Sequence, residues 1–115
     1  MRNVSKEVGF ELLGSLLILS LEKFSSNVIE KCLESTTDEI RYLMVQEIAQ
    51  APHTPSYYPY LVDQYANYVI QKALQVAVEP LFSEFIAKLQ VDMPKLATSG
   101  EFGYKIYQRL SKQYS

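Results

Sequence analysis

Apolar residues recur at helical spacing along most of the chain, and no segment shows the alternating pattern of a β-strand. Ser25 or Ser26 is suited to cap one helix, and Thr37 or Asp38 is suited to cap the next. Pro80 stands where proline is favoured, in the first turn of a helix. The pattern predicts helices over residues 5–13, 16–21, 26–35, 38–50, 66–77, 80–89 and 103–113. The chain is therefore predicted to be all-α.

Within these helices the apolar residues form one stripe, which indicates the side that faces the core. The residues assigned to the core are Val28, Ile29, Cys32, Leu33, Leu43, Met44, Ile48, Val69, Ile70, Ala73, Leu74, Leu81, Phe82, Phe85, Ile86, Leu89, Ile106, Tyr107 and Leu110. Two segments interrupt the helical pattern. Residues 51–59 hold three prolines and are predicted to form an inserted surface loop. Pro94 is predicted to begin a short turn that reaches Thr98.

One motif occurs three times along the chain. Residues 24–31 (FSSNVIEK) are echoed by residues 65–72 (YANYVIQK) and more loosely by residues 102–109 (FGYKIYQR). The second copy starts 41 residues after the first, and the third starts 37 residues after the second. Self-similarity at such a period is typical of stacked helical repeats, in which the apolar positions build one continuous core and the polar positions vary between units. The sequence therefore predicts an α-solenoid.

Length and composition limit the classes of protein that remain. The chain has 115 residues, enough for one domain or a piece of one. No run of about 18 uninterrupted apolar residues occurs, so a membrane span is not expected. The single cysteine, Cys32, excludes an internal disulfide and a cysteine-based zinc site, and it is predicted to be a small buried hydrophobe.

The net charge of −2 argues weakly against nucleic acid as a partner, because binders of phosphate backbones usually carry a basic excess. The position of the charge matters more than its sum. The basic residues in or beside the motif are Lys23, Lys31, Lys72, Lys105 and Arg109. The sequence therefore allows one basic face on a chain that is slightly acidic as a whole.

The polar residues of the motif form pairs on one helix face. Ser26 and Glu30 are four residues apart, as are Asn67 and Gln71. An ionised glutamate only accepts hydrogen bonds and so matches the two adjacent N–H donors of guanine, whereas amides both donate and accept and suit the mixed edge of uracil. Tyr68 adds an aromatic face for stacking. One such pair alone would be interpreted as solvated surface, but two pairs in register favour base recognition.

Two stretches resemble the last two RNA-binding repeats of Pumilio-family (PUF) proteins: residues 26–32 (SNVIEKC) and 63–72 (DQYANYVIQK). Residues 19–24 (LSLEKF) are similar to the family's lead into the first of these repeats, and residues 103–106 (GYKI) to its degenerate C-terminal capping repeat. The resemblance extends from about residue 7 to 112. It implies three-helix units stacked into a crescent, each reading one base with two or three side chains.

Residue roles follow from this resemblance. Ser26 and Glu30 are expected to read the edge of guanine, and Asn67 and Gln71 that of uracil. The stacking neighbours are Asn27 and Tyr68. Because the family binds RNA antiparallel to the protein, the two repeats are expected to read 5′-UG-3′, the start of the family's UGU element. Contacts with the RNA backbone, or by the capping repeat, are assigned to Lys23, Lys31, Lys72, Tyr104, Lys105 and Gln108.

The resemblance also implies a division of the chain. Residues 1–14 are assigned to the end of a preceding repeat, 15–50 and 60–98 to the two repeats, 51–59 to the inserted loop and 99–115 to the capping repeat. The array is partial, with far fewer repeats than a full family domain, so the chain is expected to be a fragment or a truncated product. The loop is longer than the family's usual connection, and Gly103 favours capping over base reading in the last unit.

The function implied by the resemblance is sequence-specific binding of single-stranded RNA. The expected target is a UGU-type element in an mRNA 3′-untranslated region, bound for post-transcriptional repression in the cytoplasm. Protein effectors on the outer face are compatible with this function. No cofactor, metal, membrane or small-molecule substrate is expected.

Two other classes of function are weighed against it. A HEAT- or armadillo-type scaffold for protein partners shares the stacked helices but gives no reason for polar pairs in register. An enzyme has little support, because the only histidine, His53, lies in the proline-rich loop without metal-ligand or carboxylate spacing. The adjacent Asp38 and Glu39 point to different helix faces. The chain is predicted not to be an enzyme.

Overall fold

The computed structural model describes residues 14–51 and 56–114, and this part of the chain contains helices and connecting turns without a strand. The helix predicted over residues 5–13 lies outside the described residues. The helices are α1 (Leu16–Leu19), α2 (Lys23–Ser35), α3 (Asp38–Ala49), α4 (Tyr58–Leu61), α5 (Ala66–Val76), α6 (Leu81–Ala97) and α7 (Gly100–Tyr114).

The helices form two units of the same design. α1, α2 and α3 make the first unit, and α4, α5 and α6 make the second in the same order. In each unit the first helix has only four residues and packs against the third helix. α2 lies along α5, and α3 contacts both α5 and α6, so that the units stack side by side. α7 packs on α6. The all-α solenoid predicted from the sequence is confirmed.

One apolar core runs through both units and reaches α7. The largest fully buried side chains are Leu16, Ile29, Leu33, Met44, Ile48, Leu61, Ile70, Leu74, Leu81, Phe85, Leu96 and Ile106. Full burial of one such side chain stabilises a fold by about 1.5–3 kcal/mol relative to exposure. In the described part of the chain, no helix combines the length and the apolarity that crossing a bilayer requires.

α2 begins three residues earlier than predicted, at Lys23, and the predicted serine caps are wrong. Both serines lie inside the helix and bond to backbone oxygens instead. The Ser25 hydroxyl donates to the carbonyl of Leu19 at 2.5 Å, and the Ser26 hydroxyl donates to that of Lys23 at 2.9 Å. Serine satisfies itself in this way when a nearby carbonyl is open, so its presence alone does not fix a helix start.

The turn between α2 and α3 is held by two side chains. Thr37 caps α3 as predicted, its hydroxyl oxygen accepting the N–H of Ile40 at 3.3 Å. Arg41 reaches back to the end of α2 and donates to the carbonyl oxygens of Leu33 at 2.6 Å, Thr36 at 2.9 Å and Glu34 at 3.1 Å. These carbonyls belong to the last turn of a helix, where no intrahelical partner remains. The guanidinium therefore closes α2 and fixes the direction of α3.

A carboxylate of the third helix holds the start of the first helix in both units. In the first unit, Glu47 accepts the backbone N–H of Gly14 and, at 2.8 Å, that of Leu16. In the second unit, the buried Asp92 accepts the N–H of Tyr57 at 2.9 Å and the hydroxyl of Ser56 at 2.7 Å. The N–H groups at a helix start lack intrahelical partners and carry partial positive charge, so an anion there is favourable. Each unit thus closes on itself.

Val28 was assigned to the core by its spacing, and this is wrong, because 42% of its surface is exposed. Its equivalent in the second unit, Val69, is fully buried. The same contrast holds for Phe24, which is 81% exposed, and its half-buried equivalent Tyr65. In the second unit this face lies against α2, whereas no described unit precedes the first. Burial at these positions therefore depends on a neighbouring unit rather than on the helix itself.

The core side of α3 is also shifted from the prediction. Leu43 is exposed, whereas Val45, which was not assigned to the core, is buried together with the predicted Met44 and Ile48. α3 contacts α1 and α2 of its own unit and α5 and α6 of the next. Neighbours on several sides widen the buried arc beyond the stripe that apolar spacing alone indicates.

The turn predicted at Pro94 is wrong, because Pro94 lies inside α6, which continues to Ala97. Proline removes one backbone hydrogen bond from a helix interior. Asp92 and Leu96 on either side of it are buried, so packing outweighs that loss. The chain turns instead at Gly100, whose φ of +79° favours glycine. Gly103 then permits close approach of α7 to α6, since a Cβ there would lie 2.9 Å from the carbonyl oxygen of Leu96.

The segment predicted as a loop over residues 51–59 is described at its two ends. α4 begins within it, at Tyr58. The buried Tyr57 hydroxyl donates to the carbonyl oxygens of Ile48 at 2.5 Å and Ala49 at 2.9 Å, and burial raises the pKa of Tyr57 to about 12. The Lys88 ammonium also donates to the Ala49 carbonyl, at 2.7 Å. Tyr57 and Lys88 of the second unit thus both bind carbonyl groups at the end of α3.

The buried carboxylate of Asp92 generates a stability prediction. Asp92→Ala removes the acceptor of two hydrogen bonds and leaves the N–H of Tyr57 without its partner, so the free energy of unfolding should fall by roughly 2–3 kcal/mol. Glu39→Ala, at an exposed position of α3, should change it by about 0.5 kcal/mol or less. Urea unfolding followed by circular dichroism measures both variants. Equal stability of the two would contradict a structural role for Asp92.

Candidate nucleic-acid interface

The two motif helices, α2 and α5, lie side by side and place their polar pairs at corresponding positions. Glu30 on α2 and Gln71 on α5 are both half-buried. The ammonium of Lys72, the residue after Gln71, lies 2.6 Å from a carboxylate oxygen of Glu34, one turn after Glu30. The ion pair joins the edge of α2 that carries Glu30 and Glu34 to the turn of α5 that carries Gln71. The surface of the α2–α5 pair that carries Ser26, Glu30, Asn67 and Gln71 is hereafter called the polar edge.

The second pair is joined by a hydrogen bond of its own. The side-chain amide of Gln71 donates to the amide oxygen of Asn67 at 3.0 Å. The Asn67 amide in turn donates to the backbone oxygen of Asp63 at 2.6 Å, and Asn67 is fully buried. Asn67 is therefore anchored in the helix and orients Gln71. The half-buried Gln71 retains an acceptor oxygen and one further N–H for a ligand.

Asp63 also holds the start of α5, a role that reasoning from the sequence missed. Its carboxylate accepts the backbone N–H of Tyr65 at 2.9 Å and of Ala66 at 2.8 Å, so it holds the start of α5 while its own carbonyl holds Asn67. An aspartate shortly before a helix is a recognisable turn signal, because its side chain bonds to the backbone two residues further on. That signal was available in the sequence.

In the first pair, Ser26–Glu30, each side chain has its own environment. Ser26 is buried, and its hydroxyl donates to the carbonyl of Lys23, which leaves the hydroxyl oxygen as an acceptor. Glu30 is half-buried, and burial raises the pKa of its carboxyl; Lys72 opposes this rise and Glu34 adds to it. The carboxylate of Glu30 is thus the anionic acceptor at the polar edge, and its charge depends on its surroundings.

The residues assigned to stacking lie at the surface. Asn27 and Tyr68 follow Ser26 and Asn67 in their helices, and both side chains are exposed, that of Tyr68 to 46%. An exposed phenol ring beside a polar pair can support a flat group laid against the helix. The stacking assignment requires Tyr68 to lie outside the core, and its exposure meets this requirement.

The lysines of the motif fall into two groups. Lys23 and Lys31 on α2 are exposed. Lys72 is half-buried, and besides its ion pair with Glu34 it donates to the side-chain oxygen of Gln75 at 3.1 Å. Hydrogen bonding with Lys72 lowers the pKa of the Glu34 carboxyl. Lys72 is therefore engaged within the protein, whereas the α2 lysines are accessible to an anion.

The third copy of the motif lies in α7. Gly103, Ile106 and Leu110 are buried, like their equivalents in α5, so the apolar register is kept. Tyr104, by contrast, is exposed where its equivalent Asn67 is buried. The rings of Tyr104 and Tyr107 are stacked, with centroids 6.0 Å apart. The side chains of Lys105 and Gln108 are exposed as well. α7 therefore offers an aromatic and polar surface without an anchored amide pair.

Comparison with protein families gives a match in the same part of the chain. The family model described as "Pumilio-family RNA binding repeat" matches residues 16–49 and 61–89. These ranges include both polar pairs.

Curated relatives and a solved structure agree with this match. A Pumilio domain-containing protein of Schizosaccharomyces pombe is 34% identical over 102 residues, 89% of this chain and 13% of that protein. Pumilio homolog 12 of Arabidopsis thaliana is 30% identical over 93% of this chain and 17% of its own length. The crystal structure of PUF-8 in complex with PBE-RNA superimposes with a TM-score of 0.82 and 26% identity, covering 96% of this chain and 32% of that one. The chain thus spans a small part of the proteins it resembles.

Proposed function

The chain belongs to the Pumilio family of RNA-binding repeat proteins, and on that premise we propose that α2 and α5 each bind one base of a single-stranded RNA. The observation that carries the proposal is the polar edge: two pairs four residues apart, Ser26–Glu30 and Asn67–Gln71, stand at matched positions on two packed helices. PUF-8, the structural relative, was solved with an RNA bound. One base per helical repeat is the family's mode of recognition.

We assign guanine to the first unit. Its Watson–Crick edge presents two adjacent N–H donors, and an ionised Glu30 offers two acceptor oxygens. The hydroxyl oxygen of Ser26 adds an acceptor on the same helix face. Uracil presents two carbonyls around one N–H and is repelled by the carboxylate. The half-buried position of Glu30 supports this assignment, since electrostatic contacts gain strength away from bulk water.

Uracil is assigned to the second unit. Its N–H needs an acceptor and its carbonyls need donors, and the half-buried amide of Gln71 offers an acceptor oxygen and one further N–H. The fully buried Asn67 acts through its hydrogen bond to Gln71. The hydrogen bonds from Gln71 to Asn67 and from Asn67 to the Asp63 carbonyl hold these groups before a base arrives. Tyr68 stacks on the uracil ring, and Asn27 lies beside the guanine.

The strand as a whole is proposed to run 5′-UG-3′ across α5 and then α2, antiparallel to the protein. Lys23 and Lys31 are proposed to contact the phosphate backbone, and Tyr104, Lys105 and Gln108 of the capping unit to contact flanking nucleotides. In this division residues 15–50 and 60–98 are the repeats and 99–115 the cap. The biological target is proposed to be a UGU-type element in an mRNA 3′-untranslated region, bound in the cytoplasm for repression with effectors on the outer face.

The order of the two bases is the direct test. A single-stranded oligonucleotide with 5′-UG-3′ should bind more tightly than one in which only these bases are exchanged, by roughly tenfold or more, since each well-matched base contact contributes about 1–3 kcal/mol of discrimination. Fluorescence anisotropy at fixed salt measures the ratio, and the RNA should remain intact. Equal affinity for the two oligonucleotides would reject the base assignment and favour a scaffold for protein partners.

Glu30→Gln tests the guanine contact. The amide replaces one acceptor by a donor, so the preference for guanine at that position should fall by about 1–3 kcal/mol and uracil should become acceptable. Glu39→Gln removes the same charge from an exposed position of α3 and should leave the preference unchanged. If both variants keep the wild-type preference, Glu30 does not read the base.

Tyr68→Ala tests stacking. Loss of the ring should weaken binding by about 1–3 kcal/mol for every oligonucleotide, without changing which base is preferred, because every base has a face to stack. Tyr42→Ala removes an exposed tyrosine from α3 and serves as the matched control. A change of base preference in Tyr68→Ala, with affinity retained, would contradict the stacking role.

A further inference from the structure

Lys31 and Lys72 occupy the same position of the motif in neighbouring units, yet the structure uses them differently. Lys31 is exposed on α2. The side chain of Lys72 is only 19% exposed and crosses from α5 to α2, where its ammonium lies 2.6 Å from Glu34 Oε1. It is fixed further by the side-chain oxygen of Gln75 at 3.1 Å. A lysine so held supplies a cation at a defined place rather than a mobile charge.

The ammonium of Lys72 is held at Glu34, which together with Glu30 forms the carboxylate pair of the first unit. Glu30 and Glu34 are one helical turn apart, so both face the same edge of α2. Lys72 is the only charged side chain of α5, the helix that packs along this edge. The cation bound to Glu34, one turn from the proposed guanine reader, therefore comes from the second unit.

We propose that Lys72 is a specificity-determining residue for the neighbouring repeat: its charge keeps Glu30 in the anionic form that accepts two N–H bonds from guanine. The proposal rests on the assignment of guanine to the first unit. It makes the base preference of α2 depend on a side chain of α5.

The other charged groups belong to α2 itself and to the helices packed against it. On α2, Lys31 is exposed and, together with Lys72, lowers the pKa of Glu34. α1, which also packs on α2, carries no charged residue. On α3, the guanidinium of Arg41 bonds to Asp38 and to the end of α2, and Glu47 is bound to the start of α1. Glu39 of α3 is exposed. The exposed phenol of Tyr68 is the other titratable group of α5.

The direction of the effect follows from electrostatics. Burial raises the pKa of Glu30, Lys72 lowers it, and Glu34 raises it. Without Lys72, burial and the neighbouring carboxylate act unopposed, and the pKa of Glu30 rises further. A protonated Glu30 presents a donor in place of an acceptor and no longer matches guanine. Guanine preference is thus present above the pKa of Glu30 and is lost as the pH falls through it.

The first arm of the test needs no RNA. The side-chain carboxyl carbon of Glu30 is titrated by NMR in the full 115-residue chain. Lys72→Met removes the charge and keeps an unbranched side chain, and it should move the midpoint of Glu30 to higher pH. Glu34→Gln removes the neighbouring carboxylate and releases Lys72 from its ion pair, and it should move the midpoint to lower pH. Lys112→Met, the control at an exposed position of α7 with no assigned role, should leave it in place.

The second arm measures recognition. The ratio of affinities for oligonucleotides with 5′-UG-3′ and 5′-UU-3′ is recorded between pH 5 and pH 8. The pH at which guanine preference disappears should shift upward in Lys72→Met and downward in Glu34→Gln. It should not move in Lys112→Met, and in Glu30→Gln the ratio should be independent of pH.

The outcomes separate the two proposals. An unmoved Glu30 midpoint in a folded Lys72→Met variant would overturn the role of Lys72, whatever the RNA does. Uniform weakening for all oligonucleotides in Lys72→Met, with an unshifted pH profile, would also overturn it and assign Lys72 to the RNA backbone. Absence of guanine preference in the wild type at every pH would reject the proposed function. If Lys72→Met is unfolded by circular dichroism, Lys72→Gln replaces it, and the same upward shift of the Glu30 midpoint is expected.

Discussion

The packing of α2 along α5 determines most of what this chain can do. Val69 is buried in the second unit, where this contact exists, whereas its equivalent Val28 in the first unit is exposed, and the core runs through both helices. The same contact aligns the polar pairs and brings Lys72 to Glu34. The same α2–α5 interface therefore supports both the hydrophobic core and the proposed base-binding surface. A substitution that loosened this interface would disturb the spacing between the two proposed base positions as well as the stability of the fold.

The polar edge is organised before any ligand is present. Ser26 and Asn67, the buried members of the two pairs, are hydrogen-bonded to backbone oxygens of their own chain, and Gln71 is hydrogen-bonded to Asn67. Side chains that are already ordered lose less conformational freedom when they bind. The exposed Tyr68 and Lys31 have no such fixed setting in the polar edge, which suits residues proposed to follow the ring faces and the phosphates. Order and accessibility are thus divided between neighbouring residues of one helix.

Sequence reasoning succeeded where one local interaction dominates and failed where a neighbour decides. Thr37 caps α3, and Ala73 and Leu74 of α5 are buried, because capping chemistry and helical spacing act within a few residues. Val28 and Leu43 were assigned to the core by the same spacing, yet their exposure is set by which helices lie beside them. Pro94 was interpreted as a breaker, although packing of α6 carries the helix through it. At the polar edge the paired positions were visible from register alone. The ion pair of Lys72 with Glu34 and the anchoring of Asn67 by Asp63 were not, since they require coordinates.

The carboxylates of Glu47 and Asp92 each connect the third helix of a unit to the beginning of its first. Both described units consequently contain the same internal connection, which is made by their own residues. Such self-contained modules can be duplicated or lost in evolution without redesign of the remainder. Lengthening an array by copying one gene segment then requires only that the new apolar faces match, and arrays of different reach can arise from the same building block.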